Sequence, residues 1–140
     1  MNQQIPTDSG SRDTTRKIML VDDNLDVRTV ITMSLEQLGF EVVACVDGRE
    51  AIERFTVEKP SVIIIDQGLP DIQGTEVGRQ IRQLAGDRPV SIAMLTGSDN
   101  PALRQQADEA GVNGFLVKPV RIMYLSNWID QQIKNLDDGT

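Results

Sequence analysis

The sequence has no histidine among its 140 residues and only one cysteine, Cys45. Without an imidazole, the chain cannot support Ser-His-Asp or Cys-His catalysis, hold zinc through histidine, or carry a phosphohistidine. A single cysteine cannot form an internal disulfide, so nothing in the sequence indicates an oxidising compartment. Any chemistry must therefore depend on carboxylates, hydroxyls, lysines and backbone groups.

Positive charge and long hydrophobic runs are also scarce. The chain has 14 Lys and Arg against 21 Asp and Glu, a formal net charge of −7, which disfavours binding to nucleic acid or to an anionic membrane surface. No apolar run approaches the ~20 residues that a membrane-spanning helix needs, and the polar N-terminus lacks the hydrophobic segment of a signal peptide. We therefore predict a cytoplasmic protein with no direct nucleic-acid contact and no membrane insertion.

The length fits one domain with a core of its own. Residues 1–15 are predicted to be a disordered polar leader, residues 16–136 the folded domain, and residues 137–140 a short tail. Five apolar runs alternate with segments of helical spacing, and most runs are continuous, which is typical of strands buried on both faces of a parallel sheet. This pattern predicts a single doubly wound α/β domain. The runs are 18–21, 42–46, 62–65, 92–95 and 115–117.

Polar side chains follow four of these runs. Asp22 and Asp23 follow the first run, Asp66 the third, Thr96 the fourth and Lys118 the fifth. Taken singly, each has an ordinary structural explanation: Asp23 or Thr96 as a helix cap, Asp66 as a turn residue, Lys118 as a solvated charge. Because the carboxyl ends of parallel strands meet at one edge of a sheet, we expect the set to converge there.

The converging set predicts phosphoryl chemistry at a divalent metal site. Three adjacent carboxylates repel one another by about 4 kcal/mol per pair at 4 Å and an effective dielectric of 20. Mg²⁺, with Mn²⁺ as the alternative ion, would relieve this repulsion through oxygen ligands. Lys118 and Thr96 would supply a charge and a donor for phosphoryl oxygens, so the site suits transfer of a phosphoryl group onto a carboxylate.

Across residues 16–136, the chain resembles the response-regulator receiver domains of two-component and phosphorelay signalling. The motifs are the acidic pair Asp22-Asp23, the segment 66–74 (DQGLPDIQG), Thr96, and the segment 114–119 (GFLVKP). The resemblance implies a flavodoxin-like (βα)5 fold whose parallel sheet has the strand order 2-1-3-4-5. It also implies an aspartyl phosphate formed in a magnesium-dependent reaction.

By this resemblance, Asp66 is the phosphoacceptor. Asp23, Asp66 and the backbone carbonyl of Gly68 would bind Mg²⁺ directly, whereas Asp22 would act through water in the outer shell. The position of Gly68 often carries a larger polar side chain in this family. We therefore expect Gly68, together with Ser98, to tune the rate of dephosphorylation.

The resemblance assigns the remaining site residues to phosphoryl binding and switching. Lys118 would pair with the phosphoryl group, and the Lys118-Pro119 bond is expected to be cis. Thr96 would move toward the phosphoryl oxygens, and Phe115 would rotate inward as the coupled aromatic residue. The phosphoryl donor would be a phosphohistidine on a sensor histidine kinase or on a histidine phosphotransfer protein.

The output expected of such a domain is a change in protein contacts. The surface formed by the fourth helix, the fifth strand and the fifth helix would change, and the protein would be a monomer or a phosphorylation-dependent dimer. Tyr124 and Trp128, spaced i, i+4 on the last helix, form a candidate partner surface, with sealing of the core edge as the alternative. The domain would be a phosphoprotein that assists its own phosphorylation and dephosphorylation rather than an enzyme.

Three alternatives remain at this point. A carboxylate-nucleophile phosphatase of the haloacid-dehalogenase type would need a second acid where Gly68 stands, which argues against it. A phosphorylation-independent receiver-like adaptor would not require the complete set of site residues. The chain is either a single-domain regulator or an N-terminal receiver cut from a longer one, since no output module follows residue 136 in this sequence. The cognate kinase and the downstream target are not encoded in any motif.

Overall fold

A computed structural model describes residues 17–138, in which strands and helices alternate five times. The predicted leader at 1–15 therefore lies outside the described residues. The strands are β1 (Lys17–Val21), β2 (Glu41–Cys45), β3 (Val62–Asp66), β4 (Ser91–Thr96) and β5 (Gly114–Val117). The helices are α1 (Leu25–Gln37), α2 (Gly48–Glu58), α3 (Gly74–Ala85), α4 (Pro101–Glu109) and α5 (Ile122–Asp137).

All five strands are parallel, in the order β2-β1-β3-β4-β5. This confirms the doubly wound α/β prediction and the strand order implied by the resemblance. The order reverses direction at β1, which lies between β2 and β3. The loops after β1 and β3 therefore lie next to each other at the carboxyl edge of the sheet, where open parallel sheets bind their ligands.

The continuous apolar runs are explained by a core on each face of the sheet. In β3, Ile63 and Ile65 face one hydrophobic cluster with α2, α3 and α4, whereas Val62 and Ile64 face a second cluster with α1 and α5. Successive strand residues point to opposite faces, so a strand covered on both sides must be apolar at every position. At ~25 cal/mol per Å² of apolar surface, this burial is the main source of stability.

Helix ends follow the capping residues in the sequence. Asn24, Asp47 and Asn100 each accept a hydrogen bond from a backbone N–H in the first turn of α1, α2 and α4. Gly39 and Gly111 follow α1 and α4 with positive φ angles of 96° and 86°, a conformation that glycine adopts without steric cost. These residues mark the starts of α1, α2 and α4 and the ends of α1 and α4.

Arg82 fastens the opposite, amino edge of the sheet. Its guanidinium donates hydrogen bonds to the carbonyl oxygen of Val90 at 2.9 Å and to that of Gly111 at 2.7 and 3.1 Å. It also donates to Asn113 Oδ1 at 2.8 Å, and the same oxygen accepts the N–H of Ile92. One side chain on α3 thus ties together the segments that lead into β4 and β5. Within residues 17–138, no helix is long and apolar enough to cross a membrane.

Candidate functional site

Five side chains predicted from the sequence follow or end strands at the carboxyl edge of the sheet. Asp22 and Asp23 come directly after β1, Asp66 ends β3, Thr96 ends β4 and Lys118 follows β5. The parallel register aligns these strand ends, with Asp66 opposite Leu95 on β4 and Thr96 opposite Val117 on β5. The topology therefore brings a set of carboxylates, a hydroxyl and an ammonium group to one edge.

The three carboxylates form a cluster in which oxygens of Asp22, Asp23 and Asp66 all lie within 4.8 Å of one another. Asp22 is 0% exposed and Asp66 is 7% exposed, whereas Asp23 faces solvent. The capping role that could explain Asp23 belongs to its neighbour, because Asn24 Oδ1 accepts the N–H of Val27. The Asp23 carboxylate is therefore not needed as a helix cap and lies in the cluster.

Lys118 brings a positive charge to these acids. Its Nζ lies 2.7 Å from Asp66 Oδ1 and 3.9 Å from Asp22 Oδ2, and its side chain is only 34% exposed. A short ion pair of this kind holds the ammonium group beside the carboxylate that ends β3. The peptide bond between Lys118 and Pro119 is cis, as the resemblance implied.

The carboxylate of Asp22 has an unusual environment for a fully buried acid. Oδ1 accepts the N–H of Asn24 at 2.9 Å, but Oδ2 has no hydrogen-bond donor among the described residues. Burial raises the pKa of Asp22 above its ordinary value, and the charges of Asp66 and Asp23 add to this effect, against the hydrogen bond from Asn24 and the charge of Lys118. The cluster thus has a buried carboxylate oxygen that accepts no hydrogen bond from the described residues and lies beside two further carboxylates. Oxygen ligands of this kind fit a hard cation such as Mg²⁺.

The loop after Asp66 is held by close backbone contacts. Gly74, at the start of α3, donates its N–H to the carbonyl oxygen of Gln67 at 3.1 Å, and Gln67 Oε1 accepts the N–H of Thr75. A Cβ at position 74 would lie 2.7 Å from the carbonyl oxygen of Asp66. Only glycine allows α3 to begin this close to the acid, so the last residue of the segment 66–74 has a steric role.

Thr96 and Ser98 line the same edge. Among the described residues, Thr96 Oγ1 is bonded only within its own turn, where it accepts the N–H of Ser98 at 3.2 Å and donates to the Ser98 carbonyl at 3.3 Å. An open cleft of about 380 Å³ lies between this turn, Lys118 and the loop that starts at Asp66, and Gly68 is among its lining residues. The cleft has room for a phosphoryl group beside the acid.

Phe115 lies on the middle of β5, half-buried, with the Arg104 guanidinium 4.5 Å from the centre of its ring. Trp128 is packed on the start of the same strand, where a Cβ at Gly114 would lie 2.5 Å from its ring, and it also contacts the core under α1 and α5. Tyr124 is 61% exposed. The structure thus places these aromatic residues on β5 and α5, outside the acidic cluster.

Sequence reasoning missed two residues that hold backbone segments near the cluster. The Arg28 guanidinium, one turn into α1, donates to the Asp22 carbonyl oxygen at 2.9 Å. Asp71, in the loop between β3 and α3, accepts backbone N–H groups at the start of α2. The spacing of Arg28 from Asn24 could have suggested the first contact, because helical side chains lean toward the N-terminus. The contacts of Asp71 span 23 positions to Gly48 and 22 positions to Arg49, and no local pattern indicates them.

Comparison with known proteins agrees with this geometry. The profile of the response regulator receiver domain family matches residues 18–130. Among curated proteins, the chain is 33% identical over 125 residues to the probable transcriptional regulator ycf27 of Cyanophora paradoxa, covering 89% of this chain and 51% of that protein. It is 36% identical over 104 residues to the alkaline phosphatase synthesis transcriptional regulatory protein PhoP of Bacillus subtilis, covering 74% and 42%. The chain thus spans about half the length of these relatives.

Solved structures give the same result. The chemotaxis protein CheY4 of Vibrio cholerae is similar with a TM-score of 0.79 and 30% identity, covering 83% of this chain and 97% of that one. A Burkholderia pseudomallei response regulator, solved with a phosphorylated aspartic acid, calcium ion and citrate, gives a TM-score of 0.73 at 25% identity, covering 79% and 64%. With the strand order, the carboxyl-edge cluster and the family match in agreement, this chain belongs to the response regulator receiver domain family of two-component signalling.

Proposed function

We propose that this chain accepts a phosphoryl group from a phosphohistidine donor onto Asp66 and thereby changes its contacts with a partner protein. The observation that carries this proposal is the ion pair between Asp66 Oδ1 and Lys118 Nζ at 2.7 Å, next to the carboxylates of Asp22 and Asp23. Since these 140 residues contain no histidine, the donor histidine lies outside them, on a sensor histidine kinase or a histidine phosphotransfer protein. The aspartyl phosphate of the Burkholderia structure supports this assignment by similarity.

In the proposed transfer, a carboxylate oxygen of Asp66 attacks phosphorus and forms a new P–O bond. The P–N bond of the donor breaks, and its electron pair returns to the imidazole, which leaves as the neutral ring when its other nitrogen carries a proton. The product is an acyl phosphate on Asp66. The Lys118 ammonium is placed to pair with the phosphoryl oxygens as they arrive beside the acid.

The chain's own residues fit a bound Mg²⁺. Asp23, Asp66 and the carbonyl oxygen of Gly68 would hold it directly, and Asp22 would contact its water shell. Two observations support this assignment: the carboxylate cluster itself, and Asp22 Oδ2, which accepts no hydrogen bond from the described residues. When bound, the ion supplies positive charge to the phosphoryl oxygens. Mn²⁺ accepts the same oxygen ligands.

The switching step is proposed to begin at Thr96. Its hydroxyl is held only by two local bonds of 3.2 and 3.3 Å to Ser98, so it can exchange them for a phosphoryl oxygen at little cost. Phe115 would then rotate toward the space that Thr96 leaves and change the surface of α4, β5 and α5. Gly68 and Ser98, both exposed at the cleft, would set how readily water reaches the acyl phosphate.

In this proposal, the phosphoryl group is transferred to the chain's own carboxylate. We therefore propose a regulatory phosphoprotein of the cytoplasm, not an enzyme with a separate substrate. The exposed Tyr124 remains a candidate partner contact. The packed position of Trp128 over Gly114 makes it a reporter of movement between α5 and β5.

Intact-protein mass spectrometry after incubation with acetyl phosphate tests the assignment. We expect one phosphoryl group on the wild type in the presence of Mg²⁺, none with EDTA, and none on Asp66→Asn. The exposed Asp108→Asn on α4 is the matched control and should be modified like the wild type. An adduct that persists on Asp66→Asn would contradict the assignment of the acceptor.

A second donor separates the remaining alternatives. If acetyl phosphate gives no adduct, the same mass measurement with a phosphorylated histidine phosphotransfer protein distinguishes a donor-specific receiver from a phosphorylation-independent adaptor. Transfer only to proteins that retain Asp66 supports the proposal. Absence of transfer from both donors would favour the adaptor.

A further inference from the structure

The carboxylate of Asp71 connects two loops at the carboxyl edge of the sheet. Asp71 lies in the loop 67–73 between β3 and α3 and reaches the first residues of α2. Its Oδ1 accepts the N–H of Gly48 at 3.0 Å, and its Oδ2 accepts the N–H of Arg49 at 2.9 Å. Both oxygens are therefore used by backbone donors of a different element.

These bonds complete the N-terminus of α2. The first N–H groups of a helix have no partner within it, and in α2 the cap residue Asp47 accepts only the third of them, from Glu50 at 2.9 Å. Asp71 accepts the first two. Desolvation opposes ionisation of Asp71, but the hydrogen bonds from Gly48, Arg49 and Ile72 outweigh it and lower its pKa, so the bridging group is a carboxylate.

The start of α2 is tightly packed at Gly48, next to this bridge. A Cβ at Gly48 would lie 2.7 Å from Val77 Cγ2 and 3.2 Å from the Cβ of Ile72. The start of α2 is therefore pressed against the start of α3. In the same loop, Leu69 is buried in the core, so the loop is fixed on both sides of Pro70.

The topology gives this bridge a direct relation to the acidic cluster. In the strand order β2-β1-β3, the loops after β2 and β3 flank the loop after β1, which carries Asp22 and Asp23. The loop after β3 also carries Gly68, whose carbonyl is a proposed metal ligand. Holding the loop after β3 fixes the place of Gly68 beside the cluster, in which the three carboxylate oxygens lie within 4.8 Å of one another.

We infer that Asp71 is a positioning residue for the metal site, because it fastens the loop that carries Gly68 to the opposite flank of the acidic pair. This inference rests on the proposed function, since it concerns Mg²⁺ at the same cluster. The contribution of Asp71 is to hold the ligand oxygens in place before the ion arrives, which reduces the ordering that binding must otherwise impose.

The experiment is calorimetric titration of Mg²⁺ into the full chain, with the rate of acetyl phosphate uptake measured over the same range of Mg²⁺ concentration. For Asp71→Ala, we expect the dissociation constant for Mg²⁺ to rise about tenfold, the lower end of the effect of residues behind metal ligands. The Mg²⁺ concentration for half-maximal phosphorylation should rise by the same factor. The rate at saturating Mg²⁺ should stay within about twofold, since the reacting groups are intact.

Asp47→Ala is the matched control, because it removes a cap from the same helix without touching the loop after β3. It should lower the melting temperature, as loss of an N-cap does, and leave the dissociation constant for Mg²⁺ unchanged. If Asp71→Ala does not fold, Asp71→Asn keeps the shape and one acceptor and should give a smaller increase in that constant. Equal Mg²⁺ affinity of wild type and a folded Asp71 variant would reduce Asp71 to an ordinary helix cap. A wild type that binds no Mg²⁺ would instead contradict the metal site itself.

Discussion

Replacing Asp22 by asparagine tests the electrostatics of the acidic cluster most directly. Asp22 is completely buried, and within residues 17–138 one of its oxygens has no hydrogen-bond donor. Asparagine has nearly the same shape and keeps an oxygen to accept the N–H of Asn24, so the substitution removes charge rather than packing. We expect Asp22→Asn to be more stable than the wild type when no metal is present.

The distances set the size of this effect. At an effective dielectric of 20, oxygens of Asp22 and Asp66 that lie within 4.8 Å of each other repel by at least about 3 kcal/mol. The attraction between Asp22 Oδ2 and Lys118 Nζ at 3.9 Å is about 4 kcal/mol. The repulsion from Asp23, whose oxygen also lies within 4.8 Å, more than offsets the remaining difference of about 1 kcal/mol. The desolvation of the carboxylate is then the uncompensated cost, and we expect its removal to raise the free energy of unfolding by about 1–2 kcal/mol.

The direction of the pH dependence follows from the same shift. The pKa of Asp22 is raised in the folded protein, first by burial, above the 3.8 that applies when it is unfolded. The folded state therefore binds more protons than the unfolded state just above pH 3.8, and its contribution to stability falls as the pH rises. The advantage of Asp22→Asn should grow over that range and become constant once the folded carboxyl is ionised.

Urea unfolding of the wild type and of Asp22→Asn, in EDTA and in Mg²⁺, tests this prediction by measuring the free energy of unfolding. A ligand at one hundred times its dissociation constant stabilises the folded state by about 2.7 kcal/mol, so Mg²⁺ at that concentration should stabilise the wild type. It should stabilise Asp22→Asn less, because the variant lacks one of the three negative charges that attract the ion, and the order of the two proteins should then reverse. Asp108→Asn, an exposed acid on α4, should leave both values within about 0.5 kcal/mol of wild type. A variant that is less stable than the wild type in EDTA would refute the reasoning, because the buried carboxylate would then contribute net stability.

Three further outcomes follow from contacts elsewhere in the molecule. Gly74→Ala should lower the free energy of unfolding by about 1–3 kcal/mol in urea unfolding, because its Cβ would lie 2.7 Å from the carbonyl oxygen of Asp66. Gly97→Ala is the control and should change this free energy little, because a Cβ at position 97 would have open space around it. Burial raises the pKa of the Cys45 thiol to about 12, so Cys45 should resist alkylation at pH 8 until the protein unfolds. Above pH 9 the thiol ionises only in the unfolded state, so the free energy of unfolding should fall as the pH rises. Arg104→Ala should remove the contact of its guanidinium with the Phe115 ring and shift the ring signals in NMR spectra. Unchanged signals would show that the contact does not hold the ring.

The sequence predicted the fold well because each strand is buried on both faces. A run such as 62–65 has no polar residue that could face solvent, so it fits few positions other than a central parallel strand. The position of Asp66 at the end of that strand follows from the same pattern. Once the strands were placed, the carboxyl-edge rule was enough to predict that Asp22, Asp23 and Thr96 lie near it.

The remaining features depend on contacts that no local pattern encodes. Asn24 rather than Asp23 caps α1, a choice between neighbouring residues with the same propensity. The bond from Asp71 to Gly48 crosses 23 positions and depends on how closely α2 and α3 approach. Whether Trp128 faced a partner or the core depended on the space at Gly114, which only the packed structure provides.

The hydrogen bonds of Arg82 at the amino edge have a consequence for how this domain can diverge. They join the segments that enter β4 and β5 through backbone carbonyls, which every residue type supplies, and through one asparagine. Substitutions in the loops of the opposite edge and on the outer faces of α4 and α5 leave this brace untouched. Substitutions at those positions can therefore accumulate without loss of this brace, and we expect Arg82 and Asn113 to vary together when either varies.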